Sequence, residues 1–140
     1  TDFEEVTDSV GMSRQFAHSG LKAVFVAPQT PFSHAINLPK TAEMSRGKWL
    51  HIAAQFYCRE KVWEAWVMPQ FVVRFEQQGQ SVRERALRPF RVMEPGKWTD
   101  VGMDIKVPKK EFDNIKIFLW CPAGQGEMWM DDLRVEVFEE

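Results

Sequence analysis

The stretch 114-NIKIFLWCPAGQGEMWMDDLRVEVF-138 decides the class of fold. In its first half Ile115, Ile117, Leu119 and Cys121 fall on one parity, and Asn114, Lys116, Phe118 and Trp120 on the other. Successive side chains of a strand point to opposite faces, so this is a strand with one buried face. The segment Pro122-Ala-Gly-Gln-Gly126 carries the glycines and proline that reverse a chain. In the second half Leu133, Val135 and Val137 alternate with Asp132, Arg134 and Glu136, the pattern of a half-exposed antiparallel strand. Asp131 breaks the alternation, because it shares the apolar parity of Trp129 and Leu133. An inward carboxylate needs donors or a cation. Two readings stay open, an edge aspartate bonding backbone amides and a structural calcium ligand, with the pattern alone favouring the first.

Working outward, the same period of two recurs. In Lys48–Arg59, Leu50, Ile52, Ala54, Phe56 and Cys58 form an apolar face. Trp49, His51, Ala53, Gln55 and Tyr57 form the other, a mixture of flat rings and hydrogen-bonding groups that suits a sugar. Ala65–Glu76 places Ala65, Val67, Phe71, Val73 and Phe75 on one side and Trp66, Met68, Gln70, Val72 and Arg74 on the other. Ser81–Glu94 reads as a strand with four arginines, Arg83, Arg85, Arg88 and Arg91, a solvated face balanced by Glu84 and Glu94. Trp98–Val107 turns Val101, Met103, Ile105 and Val107 inward. Leu21–Ala27, Ala35–Leu38 and Thr1–Val6 are shorter candidates. A helix over Glu60–Met68 is the weaker reading of that segment beside strand plus loop. Eight or nine short strands without a long helix predict an all-β fold, an antiparallel β-sandwich or jelly roll.

Length and composition agree with one domain spanning 1–140, excised from a larger protein or a mature form, since residue 1 is Thr. Hydrophobic residues make up 44%, which is too many for a disordered chain. A net charge of −2 with interspersed signs gives no footprint for nucleic acid, and no apolar run reaches membrane-spanning length. Cys58 and Cys121 both sit on apolar parity, as two buried thiols or as an inter-strand disulfide. No zinc-ligand spacing, nucleophile elbow, phosphate loop or dinucleotide fingerprint occurs. The doublets Glu4-Glu5 and Asp131-Asp132 point to opposite faces of a strand, so neither is a glycosidase pair by itself. The chain therefore reads as a non-enzyme.

Four short motifs in order, Phe3-Glu4, His18-Ser-Gly20, Gly96-Lys-Trp98 and Trp129-Met-Asp-Asp-Leu133, carry a resemblance over nearly the whole chain. It resembles the galactose-binding-like jelly rolls, and among them the carbohydrate-binding modules of the 4, 9 and 22 type. The resemblance implies one structural Ca2+ held by Glu4, the Ser19–Lys22 segment and Asp131. It also implies a glycan cleft on an aromatic-lined sheet face. Here that face would comprise Trp49, His51, Gln55, Tyr57, Trp66, Gln70, Arg74 and Trp120. An oligo- or polysaccharide partner, neighbouring domains in a parent protein and an extracellular, periplasmic or cell-surface location follow from the same resemblance. The alternative is a structural or protein-docking sandwich of a bacterial surface protein, with no sugar ligand and the tryptophans packed as core.

Overall fold

A computed structural model describes residues 12–13, 23–61, 64, 67–122 and 126–139. Nine strands lie within them: β1 (Met12–Ser13), β2 (Ala23–Val26), β3 (Ile36–Pro39), β4 (Trp49–Tyr57), β5 (Gln70–Gln77), β6 (Gln80–Leu87), β7 (Thr99–Lys106), β8 (Asn114–Trp120) and β9 (Met128–Phe138). They form a five-stranded sheet in the order β1-β2-β9-β4-β7 and a four-stranded sheet in the order β3-β8-β5-β6. Every pairing between them is antiparallel. The all-β sandwich expected from the alternation is the observed fold.

The core lies where the apolar parities of the two sheets meet. Leu50, Ile52, Ala54 and Phe56 of β4 are fully buried, as are Phe71, Val73 and Phe75 of β5 and Ile115, Ile117 and Leu119 of β8. Burying each large side chain contributes roughly 1.5–3 kcal/mol, so these three strands supply a large part of the stabilisation. Phe56 meets Phe71 edge-on across the gap, ring centroids 5.1 Å apart at 64°. Phe75 meets Phe112 in the same way at 5.1 Å and 81°. Cys58 and Cys121 are both buried and free, so no disulfide joins the layers.

Three expectations change on contact with the structure. The arginine-bearing strand stops at Leu87, and Pro89–Arg91 forms a 3-10 turn instead. Pro89 has no N–H to give a ladder, so Arg88 and Arg91 leave the sheet. Its acidic partners differ too: Glu84 pairs with Arg74 at 2.8 Å and Glu94 with Lys97 at 2.7 Å. The strand expected over Ala65–Glu76 begins only at Gln70, leaving Val67 and Met68 in the connection before it. Finally, Asp131 does not point between the sheets. The register of β4 against β9 slips between Ala53 and Gln55, and Asp132 adopts a positive φ of 51°. This bulge inserts one residue and inverts the parity. Met130 and Leu133 both reach the core, while Asp131, paired with Gln55, falls on the outer face beside Trp129. It is nonetheless fully buried there. The Thr1–Val6 strand and the residues Glu4, Ser19, Lys22 and Trp66 lie outside the described residues.

Candidate functional site

The residues expected to form one ring-lined face are divided between the two outer faces of the sandwich. Trp49, His51, Gln55 and Tyr57 alternate with the buried residues of β4 and so line the outside of the five-stranded sheet. Gln70 and Arg74 of β5 and Trp120 of β8 line the outside of the four-stranded sheet. The full thickness of the core separates the two groups. No single ligand face can hold both, and this corrects the expected site.

On the five-stranded sheet the polar groups are engaged with one another. His51 Nδ1 lies 2.7 Å from Asp104 Oδ1, directly opposite it in register. Arg134 donates to Asp100 at 2.6 Å, and Lys48 pairs with Glu139. Trp49 stacks on Phe138, centroids 6.3 Å apart. Tyr57 packs against Trp98 at 5.4 Å and Trp129 at 6.0 Å, and Arg59 lies 5.2 Å over the Trp129 ring. The cross-strand pairs His51–Asp104 and Trp49–Phe138 stabilise the sheet surface by a few tenths to about 1 kcal/mol each. Together these contacts leave much of this surface paired with itself.

The four-stranded sheet offers a different arrangement. Phe32 precedes β3 on the proline-flanked segment and forms an isolated bridge with Trp120. Its ring lies nearly parallel to that of Trp120, 6.2 Å away at 11°, and is 54% exposed. Cys121 N–H donates to Pro31 C=O at 2.7 Å, and Ser33 closes the bridge from the other side. Its N–H donates to Leu119 C=O at 3.0 Å, and its hydroxyl accepts from Leu119 N–H at 2.9 Å. The segment carrying Phe32 is thus stitched to the edge of β8. Phe118 sits two residues before Trp120 on the same face, 6.2 Å from Phe32.

Beside this aromatic strip run polar rows set by the register. Arg74 stands between Lys116 on β8 and Glu84 on β6. Arg74 Nε donates to Glu84 Oε1 at 2.8 Å, and its guanidinium lies 5.1 Å over the Phe118 ring. Lys116 reaches the same ring at 5.6 Å. Gln70 faces Trp120 in the row at the other end. Two adjoining depressions, of about 230 and 290 Å³, share Phe32, Arg74 and Phe118 as walls. The larger feature is therefore a trough with rings at one side and charged groups at the other.

Of the expected site, then, Gln70, Arg74 and Trp120 are brought together, and Phe32, Phe118, Glu84 and Lys116 join them. Phe118 was legible on the outward parity of its strand, two positions from Trp120. Phe32 was not, because its bridge to Trp120 spans most of the chain. The depression of about 570 Å³ at one end of the sandwich, walled in part by Phe25, Gln29, Glu60 and Glu127, involves none of the expected residues. Among the described residues no group of three or more His, Cys, Asp or Glu side chains could hold a metal ion. Asp131 is the only member of the expected calcium set that can be placed. One of its carboxylate oxygens accepts the Asp132 N–H at 2.8 Å. Among the described residues no helix is long and apolar enough to cross a membrane.

No protein-family model matches the sequence, and no curated protein matches it. Solved structures do. A family 16 carbohydrate-binding module is similar over 89% of this chain and 83% of its own, at 11% identity and a TM-score of 0.56. The CBM22-1 xylan-binding domain of Xyn10C from Paenibacillus barcinonensis is similar over 92% and 80%, at 9% identity and a TM-score of 0.52. A cyclase from Fischerella sp. TAU is similar over 94% and 72%, at 9% identity and a TM-score of 0.53. At such identities the likeness concerns the fold. The chain has the jelly-roll sandwich that these carbohydrate-binding modules share.

Proposed function

We propose that this chain is a non-catalytic glycan-binding domain, with its sugar lying across the outer face of the four-stranded sheet. The observation that carries the reading is the nearly parallel pair of exposed Phe32 and half-buried Trp120 opening onto Phe118, flanked by Arg74, Glu84 and Lys116. Ring faces take the C–H patches of a pyranose, while charged and amide side chains bond its hydroxyls. The fold shared with modules described as carbohydrate-binding, one of them xylan-binding, supports a polysaccharide as partner. Work at an extracellular or cell surface, as one domain of a larger protein, belongs to the same proposal.

Affinity electrophoresis against a panel of soluble xylans, β-glucans and mannans tests it. Trp120→Ala and Phe32→Ala should each weaken binding about tenfold, the loss of one good stacking contact. Trp49→Ala, on the opposite sheet, should leave binding unchanged. The reverse pattern would move the site to the five-stranded sheet. No retardation by any polysaccharide would favour the structural, protein-docking reading.

Calcium is a second part of the proposal. A buried carboxylate such as Asp131 is a suitable oxygen donor for a hard cation. Bound to the folded chain alone, calcium at a hundred times its Kd would stabilise by about 2.7 kcal/mol. Millimolar calcium should therefore raise the melting temperature and EDTA lower it, with Asp131→Asn abolishing the difference. Identical melting curves with calcium and with EDTA would remove calcium from the proposal.

A further inference from the structure

A second groove, of about 380 Å³, opens where the two sheets end side by side. It is bounded by the connection before β4, the end of β7 with the residues after it, and the start of β6. Both β6 and β7 are edge strands, each with one neighbour in its sheet. The floor is aliphatic, made by Val82, Val107 and Pro108. Around it stand five cations, Arg46, Arg83, Lys106, Lys109 and Lys110, and among the described residues no carboxylate lines the groove. In a chain of net charge −2 that is a strong local departure. Arg46 donates to the Lys109 C=O at 3.0 Å, which fixes one wall to the other and leaves other guanidinium N–H groups available. None of the other four forms an ion pair within the described residues.

We propose that this groove docks an extended acidic polypeptide segment, one with carboxylates on either side of an aliphatic or aromatic residue. Charge complementarity selects the acidic partner, since clustered like charges repel one another until counter-charges arrive. The floor selects a peptide over a sugar. Among the described residues it has no aromatic ring for a pyranose to stack on, and their side chains offer no acceptor for neutral hydroxyls. An apolar side chain on the floor with carboxylates on the rim satisfies both parts of the groove. This site lies apart from the Phe32–Trp120 trough and does not depend on a glycan binding there.

Fluorescence anisotropy of a short labelled peptide, glutamates around one central leucine, tests the proposal with the whole chain at low ionic strength. Binding should weaken as salt rises, because exposed charges are screened beyond about 10 Å at 0.1 M. Reversing two exposed cations in Lys109→Glu/Lys110→Glu should weaken it about tenfold or more. Replacing the peptide's leucine by serine, or Val82→Ser in the protein, should weaken it several-fold. Three results would overturn the proposal. One is no binding at low salt. Another is equal binding of dextran sulfate and of the serine peptide, which would show unspecific attraction of polyanions. The third is self-association of the wild-type chain that Lys109→Glu/Lys110→Glu abolishes, which would assign the groove to a second copy.

Discussion

Cys58 shows how little the outer chemistry of a residue matters once it is packed. It has no exposed surface, and burial pushes its thiol above the ordinary 9.0, with the nearby Lys61 ammonium pulling part of the way back. A thiolate is the reactive form, so the folded protein suppresses it. The sign for stability follows: the unfolded chain loses this proton first as pH rises, so folding loses support above about pH 9 and is unaffected well below it. Iodoacetamide at pH 8 should leave Cys58 and Cys121 unmodified in the native protein and alkylate both in urea, as read by mass spectrometry. Rapid labelling of the native chain would contradict their burial. Trp49 and Trp120 make the complementary point. Both are half-buried and both stack on a phenylalanine, yet one caps a self-paired surface while the other borders an open trough.

At the scale of the element, the β5–β6 hairpin and the β9 bulge are the places where backbone conformation decides geometry. Gln77 pairs with Gln80, leaving a two-residue turn in which Gln78 and Gly79 both have positive φ, 51° and 79°. That is the turn whose twist matches flanking strands, and it wants glycine at the second position. The Gln78 N–H also donates to Asp113 Oδ2 at 2.9 Å, tying the hairpin to the segment before β8. Nothing lies within 4 Å of where a Gly79 Cβ would sit, so a substitution there meets backbone strain without a clash. Gly79→Val should cost about 1–2 kcal/mol in urea denaturation, and Gly79→Asn much less. Equal midpoints for all three would mean the turn is not held in this form. The hairpin sets Glu84 opposite Arg74, so its register also shapes the trough.

For the whole molecule, the two sheets are held by one shared core and should unfold as one unit. Phe56 on β4 and Phe71 on β5 meet across it. Phe56→Ala should destabilise by about 3–5 kcal/mol, a large share of the 5–15 kcal/mol typical of a domain. Far-UV circular dichroism and tryptophan fluorescence should then shift together to lower urea. Separate transitions would show that the sheets are independent. The same core keeps the two outer faces apart, which is why ligand contacts at Trp120 and at Trp49 should be energetically independent.

By itself the sequence determined the class of fold and much of the core. Period-two alternation in Lys48–Arg59 and in 114–138 assigns each residue to a face of its own strand, and burial followed that assignment at Leu50, Ile52, Ile115, Ile117 and Leu119. Alternation cannot say which sheet a strand joins. Although β4 and β5 follow one another in the chain, they lie in opposite sheets, so two similar-looking outward faces became the two sides of the molecule. Nor can it foresee a bulge, where one residue in a left-handed conformation turned Asp131 outward while returning Leu133 to the core. The trough itself arose from long-range pairing, Phe32 with Trp120 and Arg74 with Lys116. Only the tertiary structure decided those pairings, because they are set by how whole strands find partners and not by any local preference of the residues that line the site.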